Sequence, residues 1–163
     1  MNADILQLAD EIVSLIQSNL GSGDTSSVQR MYETERDLGE FTQRQIDVYP
    51  LRYERGEPQT RLEDVFYAYI GVVVSERYSL PQEQDLITVP ISWVDERVNF
   101  VEQIFNLLQA ARVQIQVGSM PYLWVCDSAS VETTYDYRYL KQHKVFWSEL
   151  EFGFMTLKIG ETE

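Results

Sequence analysis

Residues 63–77, EDVFYAYIGVVVSER, decide the fold. Read with period two, Val65, Tyr67, Tyr69, Gly71 and Val73 line one face, and Phe66, Ala68, Ile70, Val72 and Val74 line the other. Both faces are apolar, as in a strand covered on both sides, so this segment is expected at the centre of a sheet. At about 3.3 Å per residue it is long, and with its hairpin partner it is expected to project beyond the body.

Upstream, residues 54–60 carry Gly56 and Pro58 and read as the tip of that hairpin, with Arg52, Arg55 and Arg61 around it. The partner strand runs from Ile46 through Val48 to Tyr53, and Pro50 places it near an edge or a bend. Residues 28–35 form an earlier strand, joined to it by a short turn at residues 37–41. Residues 21–27 are Gly, Ser, Asp and Thr and read as a loop. Before them, Ile5, Leu8, Ile12, Leu15 and Ile16 recur every three or four residues, which predicts an amphipathic helix over residues 3–18.

Downstream, residues 79–89 read as a loop. Ser92 is placed to cap a second helix that runs to residue 111, with Val94, Val98, Val101, Ile104, Phe105 and Leu108 as its apolar stripe. Short strands follow at residues 113–117 and 122–126, separated by a turn at residues 118–121. Residues 133–144 are polar and tyrosine-rich and read as a loop. Residues 145–159 close the chain as a long strand, in which Phe146, Leu150, Phe152 and Phe154 alternate with Trp147, Glu149 and Glu151. The expected architecture is a single α+β domain over residues 1–163. Two helices pack on one face of a largely antiparallel β-sheet, with a long projecting hairpin.

Composition narrows the function. The chain has 163 residues, 44% of them hydrophobic, enough to bury a core without staples. No apolar run approaches the roughly 20 residues needed to span a bilayer. Asp4, Asp10 and Glu11 stand where a signal peptide would carry positive charge, so the chain reads as intracellular when made. With 26 acidic against 13 basic residues the formal charge is −13, which disfavours non-specific binding to DNA or to an anionic membrane. The single cysteine, Cys126, follows the apolar run Leu123, Trp124, Val125 and reads as a small buried hydrophobe, and it excludes an intrachain disulfide. The single histidine, His143, lies between Gln142 and Lys144 in a charged stretch, so no Ser-His-Asp set is available except through it. There is no glycine-rich phosphate loop. No catalytic residue, cofactor or metal is expected, and the work of the chain reads as contact with other proteins.

Two groups of residues stand out as candidate contacts. Arg52, Arg55 and Arg61 concentrate positive charge around the hairpin tip of an acidic chain, with Tyr53 as an aromatic anchor. Tyr135, Tyr137 and Tyr139 alternate with Asp136 and Arg138 and would share one face if the segment were a strand. Tyrosine and arginine are the residue types enriched at protein interfaces. A solvated tip and a partly packed surface hairpin are the plainer readings of the two groups.

The order of these pieces resembles the tail-terminator (tail-completion) proteins of long-tailed bacteriophages. The matching pieces are Arg30-Met31-Tyr32, the Asp37-Leu38 turn, Ile46-Asp47-Val48-Tyr49-Pro50, the run from Arg61 through Tyr67 to Ile70-Gly71-Val72, the helix at residues 92–111, and Phe146-Trp147-Ser148-Glu149-Leu150. The resemblance spans most of the chain, through loose motifs. It implies a virion structural protein that assembles in the host cytoplasm and sits in the tail or neck. Such a protein is a homo-oligomer, a hexameric ring seated on the tail tube protein. It ends tube polymerisation and offers the head–tail connector its docking surface. DNA passes through the bore without specific binding, and an acidic bore would not grip a moving polyanion. Three other readings fit the residues: another phage neck or head–tail connector protein, an acidic inhibitor that mimics DNA, or, least favoured, a small enzyme using two of the many carboxylates. The scatter of acids among basic residues weighs against the mimic.

Overall fold

A computed structural model describes residues 2–20, 26–32, 43–55, 65–78, 89–117 and 120–158. The expected turn at 37–41, residues 33–35 of the first expected strand, residues 56–60 of the hairpin tip, Arg61, residues 79–88 of the expected loop and most of the loop at 21–27 lie outside these residues. The chain is α+β. In order, it comprises α1 (Asn2–Leu20), β1 (Ser26–Arg30), β2 (Arg44–Arg55), β3 (Phe66–Arg77), α2 (Ile91–Gln109), β4 (Arg112–Val117), β5 (Met120–Thr133), α3 (Tyr137–His143) and β6 (Val145–Lys158).

The strands form one sheet in the order β1-β2-β3-β6-β5-β4. The sheet is mixed: β1 runs parallel to β2, and the other neighbours are antiparallel. β3 stands between β2 and β6, and from Ile70 to Ser75 every residue is buried, as a strand apolar on both faces requires. β2 is next to the edge strand β1, and Pro50 marks a bend in it, as expected. β1 pairs with β2 only as far as Val48, so the missing Pro50 N–H costs no bond on that side. On the β3 side the register shifts by one residue between Pro50 and Arg52, a β-bulge.

One apolar cluster joins Ala68, Ile70, Val72 and Val74 of β3 to Phe146, Leu150, Phe152 and Phe154 of β6. Ile5, Leu8, Ile12 and Ile16 of α1 enter the same cluster, as do Phe100, Val101, Ile104 and Leu108 of α2. Leu15, Val98 and Phe105, expected in the stripes, are half-buried at the cluster margin, and the buried side of α2 includes Arg97. α1 lies against β1, β2 and β4, and α2 against β5 and β6.

Four stretches differ from the sequence reading. β1 begins at Ser26, inside the expected loop at 21–27, and ends at Arg30, before Met31 and Tyr32 of the strand expected over residues 28–35. Ser92 does not cap α2. Pro90 stands at the boundary, no side chain caps the helix, and Ser92 lies in the first turn. Proline suits this place because its φ is already near the helical value and it has no N–H to leave unpaired. β5 runs on to Thr133, where a strand ending at Cys126 was expected. Ala129 and Val131 alternate with Ser128, Ser130 and Glu132, a weak period-two signal, and pairing with β6 carries the segment through two register shifts. The tyrosine-rich stretch contains a helix, α3. Asp136 caps it by accepting from the Tyr139 N–H at 3.0 Å, and Lys144 ends it in the left-handed conformation at φ 57°.

Candidate interaction surface

The bulge in β2 builds the site. It inserts one extra residue, so Leu51 and Arg52 both turn to the face of the sheet away from the apolar cluster. Leu51 lies over Gly71, where a Cβ would come within 3.3 Å of its Cδ1. Arg52 pairs in register with Tyr69, and its guanidinium stands 3.9 Å from the centre of the Tyr69 ring. At this distance the positive group and the ring face attract. The Arg52 Nε lies 3.3 Å from Glu54 and its Nη1 lies 3.9 Å from Glu151 of β6. Beneath Tyr69 is Gly153. A Cβ there would meet the Ser128 hydroxyl and approach the Tyr69 ring at 3.2 Å, so glycine leaves room for the ring. Arg52 therefore rests on its own sheet, with 55% of its side chain still exposed.

Trp147, Glu149 and Glu151 alternate along β6, so they share this face. α3 lies against the same strand. Tyr139 packs on Trp147, with ring centres 6.1 Å apart, and on His143 at 4.9 Å. Arg52 and Tyr139, flagged separately in the sequence, thus reach one side of the sheet through Glu151 and Trp147.

The other candidates go elsewhere. Tyr53 turns toward the apolar cluster and stacks on Phe66 at 5.6 Å and near Trp124 at 6.4 Å. The three tyrosines do not share one strand face. Each helical residue turns about 100°, so residues two apart diverge. Tyr137 is 62% exposed, Tyr139 is half-buried, and Tyr135, just before α3, stacks on Phe146 at 6.5 Å. The backbone of Arg55 pairs with Phe66, but its side chain, like Arg61, lies outside the described residues. Cys126 is half-buried rather than fully enclosed. Burial, with Asp127 adding to it, holds its thiol above the ordinary range. Among the described residues, no three His, Cys, Asp or Glu side chains stand together as metal ligands would, and no helix is long and apolar enough to cross a membrane.

A second charged cluster had no counterpart in the sequence reading. Glu76, near the end of β3, receives Arg97 of α2 through both Nε and Nη2, the latter at 3.1 Å. Arg44 of β2 reaches the same carboxylate at 3.4 Å. Arg97 stacks on Trp93 at 4.1 Å and Arg44 on Phe100 at 4.3 Å, while Glu96 pairs with Arg97 at 3.2 Å. The helical spacing of Trp93, Arg97 and Phe100 hinted at a mixed face on α2, but nothing local pointed to Glu76. No protein family and no curated protein matches this chain.

Proposed function

We propose that this chain is a phage virion structural protein that caps the tail tube as an oligomeric ring, ends tube growth and forms the head–tail joining surface. The observation that carries the reading is the placement of the stretches behind the resemblance. Ile46-Asp47-Val48-Tyr49-Pro50 lies on β2, Tyr67 to Val72 on β3, and Phe146 to Leu150 on β6, and these are three neighbouring strands of one sheet. Segments far apart in sequence thus form one continuous surface, as a shared fold would require. In this reading the two long helices cover one face of the sheet, and the β2–β3 hairpin is the arm that reaches the next subunit or the tube. Arg52, at the base of the arm, would meet carboxylates of a neighbour together with Arg55 and Arg61, with Tyr135, Tyr137 and Tyr139 as further contacts. Arginine suits that task because its planar fork pairs carboxylates at two points. No cofactor or catalytic step is part of it.

The test is the double reversal Arg52→Glu with Arg55→Glu. Circular dichroism and thermal melting should show a folded chain. Light scattering should show loss of the ring, and electron microscopy of tails should show failed joining or tubes of abnormal length. Normal capping of tails of normal length by the double variant would refute the arm. A chain that never oligomerises, alone or on tail tubes, would refute the ring.

A further inference from the structure

The two faces of the sheet are finished differently. On one, Ala68, Ile70, Phe152 and Phe154 are buried in the cluster with α1 and α2. The other carries the Arg52, Tyr69 and Gly153 row, and one step further along the strands lies a second row. There Glu54 of β2, Tyr67 of β3, Met155 of β6, Val125 of β5 and Arg112 of β4 pair in register. Tyr67, Met155 and Val125 are only half-buried. Beyond them come Leu123, half-buried, and Leu157, 44% exposed. Apolar side chains thus fill the centre of the row, and charges of opposite sign stand at its two ends. Glu54 keeps 54% of its side chain exposed beside Arg52. Arg112 is exposed and joins no ion pair among the described residues, although Glu11 lines a hollow with it. One level back the signs are exchanged: Arg52 lies on the β2 side, and Asp127, exposed in the bulge before Ser128, lies on the β5 side.

We propose that a second copy of this chain docks face to face on this surface, about a two-fold axis that runs along β6. β2 and β4 each lie two strands from β6, so the rotation sets β2 of one copy over β4 of the other. It leaves every residue at its own level along the strands. Glu54 therefore faces Arg112 of the other copy, Arg52 comes beside Asp127, and each pairing occurs twice. A pattern that is its own complement under this rotation fits a second copy. A basic partner would oppose Arg52 and Arg112, and an acidic one Glu54 and Asp127. On the axis Met155 meets Met155, and Tyr67 passes over Val125. Sheets packed in this way stand about 10 Å apart with their strands nearly aligned. At −13 each, the copies repel over the rest of their surfaces, so the apolar centre carries the contact and the charges fix its register. A two-fold contact closes on itself and builds no ring, so the inference goes beyond the tail reading and stands without it.

The experiment is sedimentation of the full chain, free of tails, over a series of concentrations, with circular dichroism to confirm that each variant is folded. The chain should reach twice its monomer mass. Met155→Glu sets two carboxylates against each other on the axis and should abolish the pair, whereas Met155→Leu should keep it. Glu54→Arg and Arg112→Glu should each weaken the pair about tenfold or more, because each change acts at both ends of the contact. Combined in one chain they exchange the two signs and should restore most of the lost affinity. A chain that stays monomeric at every concentration, association indifferent to Met155→Glu, or a double variant no better than the single ones would each overturn the proposal. A ring that forms on tail tubes with Met155→Glu as well as without it would leave the tail reading standing while a lost pair still supports this one.

Discussion

Arg97 and Arg52 are the same residue type, each paired with two carboxylates and stacked on one aromatic ring, yet they do different work. Arg97 leaves only 10% of its side chain exposed and locks the start of α2 onto the ends of β2 and β3 through Glu76. Arg52 leaves 55% exposed and lies on the sheet surface. Burial, and not pairing, separates an arginine that holds the fold from one that is free to meet something else. Once two charges are taken out of water, each becomes costly without the other. In solvent the same pair contributes little, because water and salt screen it.

The comparison can be broken at three points. The largest effect is expected from Glu76→Ala, which removes the buried carboxylate that Arg97 and Arg44 share and leaves them only the exposed Glu96. Denaturant unfolding should show a loss of about 3 kcal/mol or more, and a smaller loss would place Arg97 in the same class as Arg52. Gly153→Ala comes next. The added methyl meets the Ser128 hydroxyl and lifts Tyr69, so a cost of about 1–3 kcal/mol is expected. Because the change disturbs the bed of Arg52, it should also weaken any assembly that depends on that arginine. Arg52→Ala is the smallest, with no more than about 1 kcal/mol expected. That loss should shrink further at high salt, whereas the loss from Glu76→Ala should persist. If the two responded alike to salt, burial would not be the deciding variable.

Helix α1 and strands β3 and β6 were legible because their apolar residues repeat at the period of the element over many positions. Shorter signals misled in particular ways. Tyr135, Tyr137 and Tyr139 alternate like a strand, but Asp136 accepts from the Tyr139 N–H and starts α3 there. Pro50, by contrast, signals a nearby edge or bend correctly: its strand is next to the edge strand and bulged at that point, the missing N–H falling beyond the end of β1. Of the candidate contacts, Arg52 keeps an exposed guanidinium, whereas Tyr53, next to it, turns toward the apolar cluster. Adjacent side chains on a strand point to opposite faces, so an adjacent pair in the sequence is divided by the sheet.

By itself the sequence determined the periodic elements, the apolar faces and the strong negative charge, because these depend on residues within one or two turns or strand steps of each other. Strand order, the parallel pairing of β1 and the opposite fates of two arginines were decided only in three dimensions. Glu76 and Arg97 are 21 positions apart, and the Phe66 N–H finds its acceptor in Thr156, 90 positions away. Contacts of that span follow from which apolar faces close on each other, and no local pattern encodes the choice.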